Sequence, residues 1–305
     1  MVDSADLRPE RNYQHMSSPK LLVTGASGHL GRLVLTSLLQ RVPAAQIIAT
    51  VRDTTKASDL AALGIELRQA DYTQPETLAT AFAGITRLLL ISSNDIGPAR
   101  IAQHKAAIDA AKTAGAELLA YTSVLRADTS TLPLAADHLA TEQHLAASSV
   151  PYTFLRNSWY FENYTGWLGA ALQHGAILGS SGEGHIAAAA RADYAEAAAV
   201  VLSTPGHAGK IYELAGDIPF TLPELAAEVS KQSGKTVVYN NLPEQAYAAA
   251  LQGFGLPAQV ATMLAACDVS ASHGALDSTS RDLSTLIGHH TTTLAAAIAA
   301  ALSRT

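Results

Sequence analysis

The sequence predicts an α/β fold built on a doubly wound parallel sheet, with a smaller C-terminal α/β lobe attached to it. Three observations carry this reading. The stretch Val23-Thr24-Gly25-Ala26-Ser27-Gly28-His29-Leu30-Gly31 stands between the apolar run Leu21-Leu22 and a segment of helical period reaching Leu39, the order of a strand, a glycine-rich turn and a helix. Short apolar runs then alternate with helical patterns as far as Arg156, as expected of strands joined by crossover helices. Beyond Arg156 the alternation loosens, and glycines and aromatic residues enter in Trp159-Tyr160-Phe161 and Trp167.

Taken in order, residues 1–19 are polar and aperiodic and lack the apolar core of a signal peptide, so they read as a disordered tail or an expression remnant outside the fold. Strands are expected at Leu21–Thr24, Ile47–Val51, Glu66–Gln69, Arg87–Ile91, Leu118–Thr122 and Thr153–Leu155. The helices between them should begin near Gly28, Ala57, Pro75, Ile101 and Ala136. Residues 20–156 thus form the sheet domain and 157–305 mainly a second lobe, with the strand Lys210–Leu214 expected to return to the first sheet. Thr221-Leu222-Pro223-Glu224 is an N-cap with proline and an acid in the first turn of a helix to Gln232. Val237-Val238-Tyr239 is a further short strand, and helices joined by polar loops follow from Pro243 to Leu302.

Composition narrows the function. The chain of 305 residues is 48% hydrophobic with a net charge of −6, and no segment offers the basic face that nucleic acid requires. A single cysteine, Cys267, excludes a disulfide framework and fits a reducing cytoplasm. No stretch is expected to span a membrane: Ile186–Leu202 is broken by Arg191, Asp193 and Glu196, and Leu294–Leu302 is too short. None of the 11 histidines has HxxxH or HExxH spacing, so no metal site is expected.

The glycine-rich turn is the chemical signal. Gly25 can take positive φ, Gly28 lets the backbone approach phosphate oxygens, and Gly31 lets the helix pack on the strand, which together bind the pyrophosphate of a dinucleotide in a Rossmann-type fold. The spacing is GxxGxxG, which points to the extended and atypical branches of the short-chain dehydrogenases. After the second strand comes Arg52, which suits a 2′-phosphate and favours NADPH, although Asp53 beside it could instead hold a ribose 2′-OH. The other positions just past strand ends are Asp71-Tyr72, Ser92-Ser93, Thr122-Ser123 and Asn157 to Tyr160. None of the 10 tyrosines is followed four residues on by lysine, so the usual proton donor of short-chain dehydrogenases is missing. That leaves a reductase whose acceptor needs little acid catalysis, or a protein that binds the nucleotide without turning it over.

Over nearly all of residues 20–302 the chain resembles the NmrA-like atypical short-chain dehydrogenases. The resemblance rests on Leu21–Gly31, Gln69-Ala70-Asp71-Tyr72, Leu88–Ser93, Ala120-Tyr121-Thr122-Ser123, Pro151–Asn157 and Tyr212-Glu213-Leu214-Ala215-Gly216. Among them it is most similar to type 2 NAD(P)H:quinone oxidoreductases, with triphenylmethane dye reductases as close relatives.

The resemblance implies NADPH as hydride donor and a planar quinone, or a similar acceptor, bound between the lobes without flavin. It implies that Gly25, Ser27, Gly28, His29, Leu30 and Gly31 hold the pyrophosphate, Arg52 the 2′-phosphate, and Asp71 with Tyr72 the adenine. Ser92, Ser93, Thr122, Ser123 and Asn157 would line the cofactor, and Trp159, Tyr160 and Asn163 the acceptor. Counted back from Val150-Pro151-Tyr152-Thr153, His138 stands where isoflavone-reductase-type relatives have a lysine on the nicotinamide ribose. It is the candidate catalytic residue, as ribose contact or proton source, with a solvent-facing helix histidine as the alternative. Reduction of triphenylmethane dyes and NADP sensing without catalysis are the alternative functions, and a homodimer is an open alternative to the monomer.

Overall fold

The structure is a computed structural model describing residues 18–304, so the tail expected over residues 1–19 lies outside the described residues up to residue 17. Seven parallel strands form the main sheet: β1 (Leu21–Val23), β2 (Ile47–Val51), β3 (Glu66–Gln69), β4 (Arg87–Leu90), β5 (Leu118–Val124), β6 (Tyr152–Asn157) and, past a separate β7 (Ala176–Gly179), β8 (Lys210–Leu214). Their order is β3-β2-β1-β4-β5-β6-β8, so the winding reverses between β1 and β4 and leaves a crevice past the carboxyl ends of those two strands.

The central strands read as continuous apolar runs because both faces are covered. Along β1, Leu21 and Val23 face one core and Leu22 the other; along β4, Leu89 faces the first and Leu88 and Leu90 the second. The first face is covered by α1 (His29–Leu39) and α8 (Arg191–Ser203), where Val34, Leu35 and Leu38 meet the buried Ala197, Ala198 and Val201. The second is covered by α3 (Pro75–Ala81), α4 (Pro98–Thr113) and α5 (Ala135–Ala147), through Leu78, Ala107, Ile108, Ala111 and Leu145. Between β2 and β3 lies only the short α2 (Ser58–Ala62), entered by a 3₁₀ turn.

Most strands stand where expected, with shifted ends. β6 is longer than Thr153–Leu155 because both neighbours pair with it residue by residue, up to Val124 and Leu214 opposite Asn157. Helix α4 starts at Pro98, ahead of Ile101, since Gly97 at φ +68° turns the chain and proline is preorganised for the first helical position.

The second lobe adds α6 (Glu162–Thr165), α7 (Leu168–His174), α9 (Leu222–Ser233), β9 (Val238–Asn241), α10 (Glu244–Gly253), α11 (Ala258–Ser272), α12 (Asp282–Ile287) and α13 (Leu294–Leu302). Its strand β7 pairs in parallel with β9 alone, and α12 packs back on β8 and α8. Phe161, Ile186, Phe220, Leu225, Val229, Cys267 and Ile298 share its core. Among the described residues no helix is long and apolar enough to cross a membrane.

The turn from β1 to α1 depends on a close approach. Gly25 sits at φ +58°, and a Cβ at Gly31 would lie 2.4 Å from the Gly25 carbonyl oxygen and 2.7 Å from the Ala26 Cα. Both obstacles are backbone, so a side chain there must displace the turn. Gly31→Ala is expected to lower stability by about 1–3 kcal/mol in urea unfolding, as overpacking does. An unchanged midpoint would show that the turn can yield.

Candidate active site

Two cavities meet at the carboxyl edge of the sheet. The first, about 460 Å³, follows the switch point and is lined by Gly25, Ser27 and the start of α1 at Gly28, His29, Leu30 and Gly31. Arg52, Asp71, Tyr72, Ser92 and Ser93 complete its walls. The second, about 700 Å³, runs on into the second lobe past Thr122, Ser123, His138, Asn157, Trp159 and Asn163. Ser92, Ser93, Asn94, Tyr160 and Arg191 line both, so the cavities are contiguous.

The first cavity is built for an anion. Gly28 is the N-cap of α1 in extended conformation, no side chain caps the helix, and no acid lies in its first turn. The first-turn amides therefore have no helical acceptor and carry the positive end of the helix dipole. Arg52 is exposed at the cavity wall and makes no ion pair among the described residues. Asp53 is not on that wall: its carboxylate accepts from the Thr55 amide at 3.0 Å and hydroxyl at 2.6 Å and lies 3.6 Å from Lys56 Nζ. Asp71 similarly accepts from the Thr73 amide at 2.9 Å, while the Tyr72 hydroxyl donates inward to the Ile91 carbonyl at 2.9 Å and leaves its ring as the wall.

At the junction, backbone amides are used up but hydroxyls are not. The Ser92 amide donates to Thr122 Oγ1 and the Ser93 amide to His104 Nε2, both at 2.9 Å. Ser93 Oγ, Asn157 Oδ1 and Ser158 Oγ are buried without a partner. Such orphans are costly unless a ligand meets them, which fits a polar group lying across these strand ends. Asn157 Nδ2 donates to Tyr160 Oη at 3.3 Å; the Tyr160 ring packs edge-on against Tyr194 at 5.2 Å, with the Arg191 guanidinium 4.9 Å from its centroid. Arg191 also donates to Asn163 Oδ1 at 3.2 Å. Phe161 turns away into the core and stacks on Phe220.

His138 is 5% exposed, so it does not stand on a solvated helix face. Its Nδ1 is 2.7 Å from the Tyr121 hydroxyl, and Arg100 Nη1 is 3.5 Å from its Nε2. Burial first, and the Arg100 charge second, hold its pKa well below the ordinary histidine value, so the resting imidazole is neutral. Arg156 and Glu142 lie just beneath the site. The guanidinium bonds Glu142 at 3.0 and 2.7 Å, Asp128 at 3.0 Å and Glu213 at 2.8 Å, and Ser123 Oγ donates to Glu142 at 2.6 Å.

Residues 17–295 match the NmrA-like family. The chain belongs to the NmrA-like family. It is 55% identical over 278 residues to quinone oxidoreductase 2 of Escherichia coli K12, covering 91% of this chain and 97% of that protein. The crystal structure of the Escherichia coli NADPH-dependent quinone oxidoreductase complexed with NADPH superposes with a TM-score of 0.90 at 54% identity, covering 92% of this chain and 99% of that one. Citrobacter sp. triphenylmethane reductase gives 0.89 at 41% identity, covering 93% and 99%.

In this NmrA-like chain several cavity residues escaped the sequence reading. Arg191 was legible only as a charge interrupting an alanine-rich stretch and Arg100 carried no motif; behind the cavity, His104 was equally unmarked, while Tyr121, which bonds His138, lies within the Ala120–Ser123 run. Their positions follow from α4, β5 and α8 crossing at the sheet edge.

His104 yields a test of these burial effects. Burial first, and Arg100 second, push its pKa down to about 3 from the ordinary 6.5. The unfolded chain binds the proton near 6.5 and the folded chain does not, so the stability His104 contributes is complete above that pH and is lost as pH falls toward about 3. His104 alone should account for about 2 kcal/mol of the loss at pH 5 relative to pH 7.5, with His138 adding a loss of the same sign, read by urea unfolding. His104→Gln, which keeps an acceptor for the Ser93 amide, should flatten that slope; an equal slope in both proteins would assign it to other groups.

Proposed function

We infer that this chain is an NADPH-dependent quinone reductase working by direct hydride transfer without flavin. The observation that carries the reading is the junction itself: an anion-binding crevice with a free cation opens directly into an apolar cavity of planar-acceptor size. The likeness to quinone oxidoreductase 2 over nearly the whole chain supports it.

Bound NADPH would supply the hydride. The α1 amides and Ser27 would hold its pyrophosphate, Arg52 its 2′-phosphate, and Asp71 and Tyr72 its adenine. Ser92, Ser93, Thr122, Ser123 and Asn157 line the remainder. Trp159, Tyr160 and Asn163 would wall the acceptor between the sheet lobe, to which α8 and β8 return, and the second lobe. Neutral His138, fixed by Tyr121, orients by hydrogen bonding and stores no proton at neutral pH. The chain thus acts by positioning and water exclusion, which suits a quinone whose aromatisation drives the transfer. The single buried cysteine accords with a cytoplasmic enzyme.

The test is NADPH oxidation by the colourless purified protein with simple quinones and, separately, with triphenylmethane dyes. Turnover with quinones and no added flavin is expected. Turnover with dyes alone would make it a dye reductase, and none with either would leave an NADP-binding regulator.

Arg52 provides a second test. Because Asp53 is tied to its own turn, Arg52→Ala should weaken NADPH binding roughly 10–100-fold, as for a lost charged hydrogen bond, and leave NADH nearly unchanged. Equal affinities for the two cofactors in the unmutated protein would defeat the assignment.

A further inference from the structure

The larger cavity has a second polar pole on the wall built by α6 and α11, supplied by Tyr164 and Asp268. Asp268 is 7% exposed, and its Oδ2 accepts from the Ser180 amide at 2.9 Å. A Cβ at Gly179 would lie 2.9 Å from that oxygen and 2.6 Å from Leu222 Cδ1, so glycine at this position is what admits the carboxyl group. Asp268 Oδ1 has no hydrogen bond or ion pair among the described residues, although the residue lines the cavity. Tyr164 presents the complementary group: its Oη is fully buried and has no partner. Its ring is held edge-on against Phe220 at 5.9 Å.

The surroundings are largely apolar, with Trp167, Leu251, Phe254 and Met263 lining the cavity alongside Tyr247. Burial pushes the Asp268 carboxyl up to about 6 against only partial relief from the Ser180 amide. Burial, followed by the neighbouring Asp268 charge, keeps the Tyr164 phenol protonated and available as a donor. An unbonded acceptor and an unbonded buried donor on two residues lining one cavity are expensive to maintain and match a ligand group that both donates and accepts. A hydroxyl does both. An ammonium only donates and would leave the hydrogen of the Tyr164 hydroxyl without an acceptor.

We propose that Asp268 and Tyr164 form a specificity pole for a hydroxyl substituent on the acceptor ring, making hydroxylated quinones the favoured substrate class. The substituent donates to Asp268 Oδ1 and accepts from the Tyr164 hydroxyl, which sets how the ring lies in the cavity. The proposal rests on the quinone-reductase reading for its chemistry, while its binding component stands apart from turnover.

The test compares 1,4-naphthoquinone with 6-hydroxy-1,4-naphthoquinone, whose hydroxyl is out of reach of its own carbonyls, on the wild type, Tyr164→Phe and Asp268→Asn. Binding without NADPH is followed by quenching of the tryptophan fluorescence, and steady-state kinetics are run with NADPH. The wild type should bind the hydroxylated compound about tenfold more tightly or better, in line with hydrogen bonds to a charged group. Each variant should bring that ratio near one, through KM more than kcat, with the plain quinone within about twofold of wild type. Should Asp268→Asn not fold, Tyr164→Phe carries the test alone. No discrimination by the wild type, or equal losses for both quinones in the variants, would overturn the proposal. Absence of NADPH oxidation with either quinone would instead overturn the reductase reading, and the binding ratios would still decide the pole.

Discussion

Arg156 is the buried cation around which the acceptor end of the sheet is organised. It stands near the end of β6 and is 5% exposed, yet it bonds carboxylates from α5, from β8 and from the loop after β5. Burial opposes its charge, and the bonds to Glu142 and Glu213 more than offset that, so its pKa is raised further. Glu213 also accepts from the Arg126 amide at 2.8 Å, where the chain leaves β5 at φ +51°. Such a network is weak evidence of net stability, since desolvation is costly, but removing any partner leaves a buried charge uncompensated. Its effect here is geometric: it locks β5, β6 and β8 in register where Ser123, Asn157 and Ser158 meet the cavity.

With that edge fixed, the two halves of the site divide their work by electrostatics. The crevice over β1 and β2 offers amides, a helix N-terminus and an exposed guanidinium, all suited to phosphate. Further along, Arg100, Arg191 and Asp268 still line the cavity, but the histidines and the phenol on and behind its wall are uncharged. His104 and His138 are neutral, and Tyr121 is held by burial well above the range where a phenol ionises. A site without a charged proton donor lowers barriers mainly by placing reactants and excluding water. The missing Tyr/Lys pair of the sequence and the neutral buried histidine of the structure therefore point to the same kind of chemistry.

The parts of the fold legible beforehand were those set by short-range rules. The glycine spacing from Gly25 to Gly31 follows from backbone approach, and the structure places the contact where the spacing implies it. Helix α9 carries its N-cap, proline and acid in adjacent residues, and Thr221 and Glu224 exchange the expected capping bonds. Strand β7 and helix α8 were not legible. Strand β7 has four residues and depends on β9 about sixty residues later, while α8 is alanine-rich and buried on several faces, so neither shows a period. His138 shows the same limit: one histidine in a helix reads alike whether solvent or Tyr121 lies beyond it.

By itself the sequence determined the parallel α/β fold, the dinucleotide turn and the cation after β2, because each depends on neighbouring residues and on the pitch of one element. Only the tertiary structure decided that Asp53 turns back on Thr55, that His138 is buried and neutral, and that Tyr164 and Asp268 face one cavity. These depend on residues far apart in the chain meeting in a low-dielectric interior. Desolvation and partner geometry, which set their protonation and hydrogen bonding, exist only once the lobes are packed.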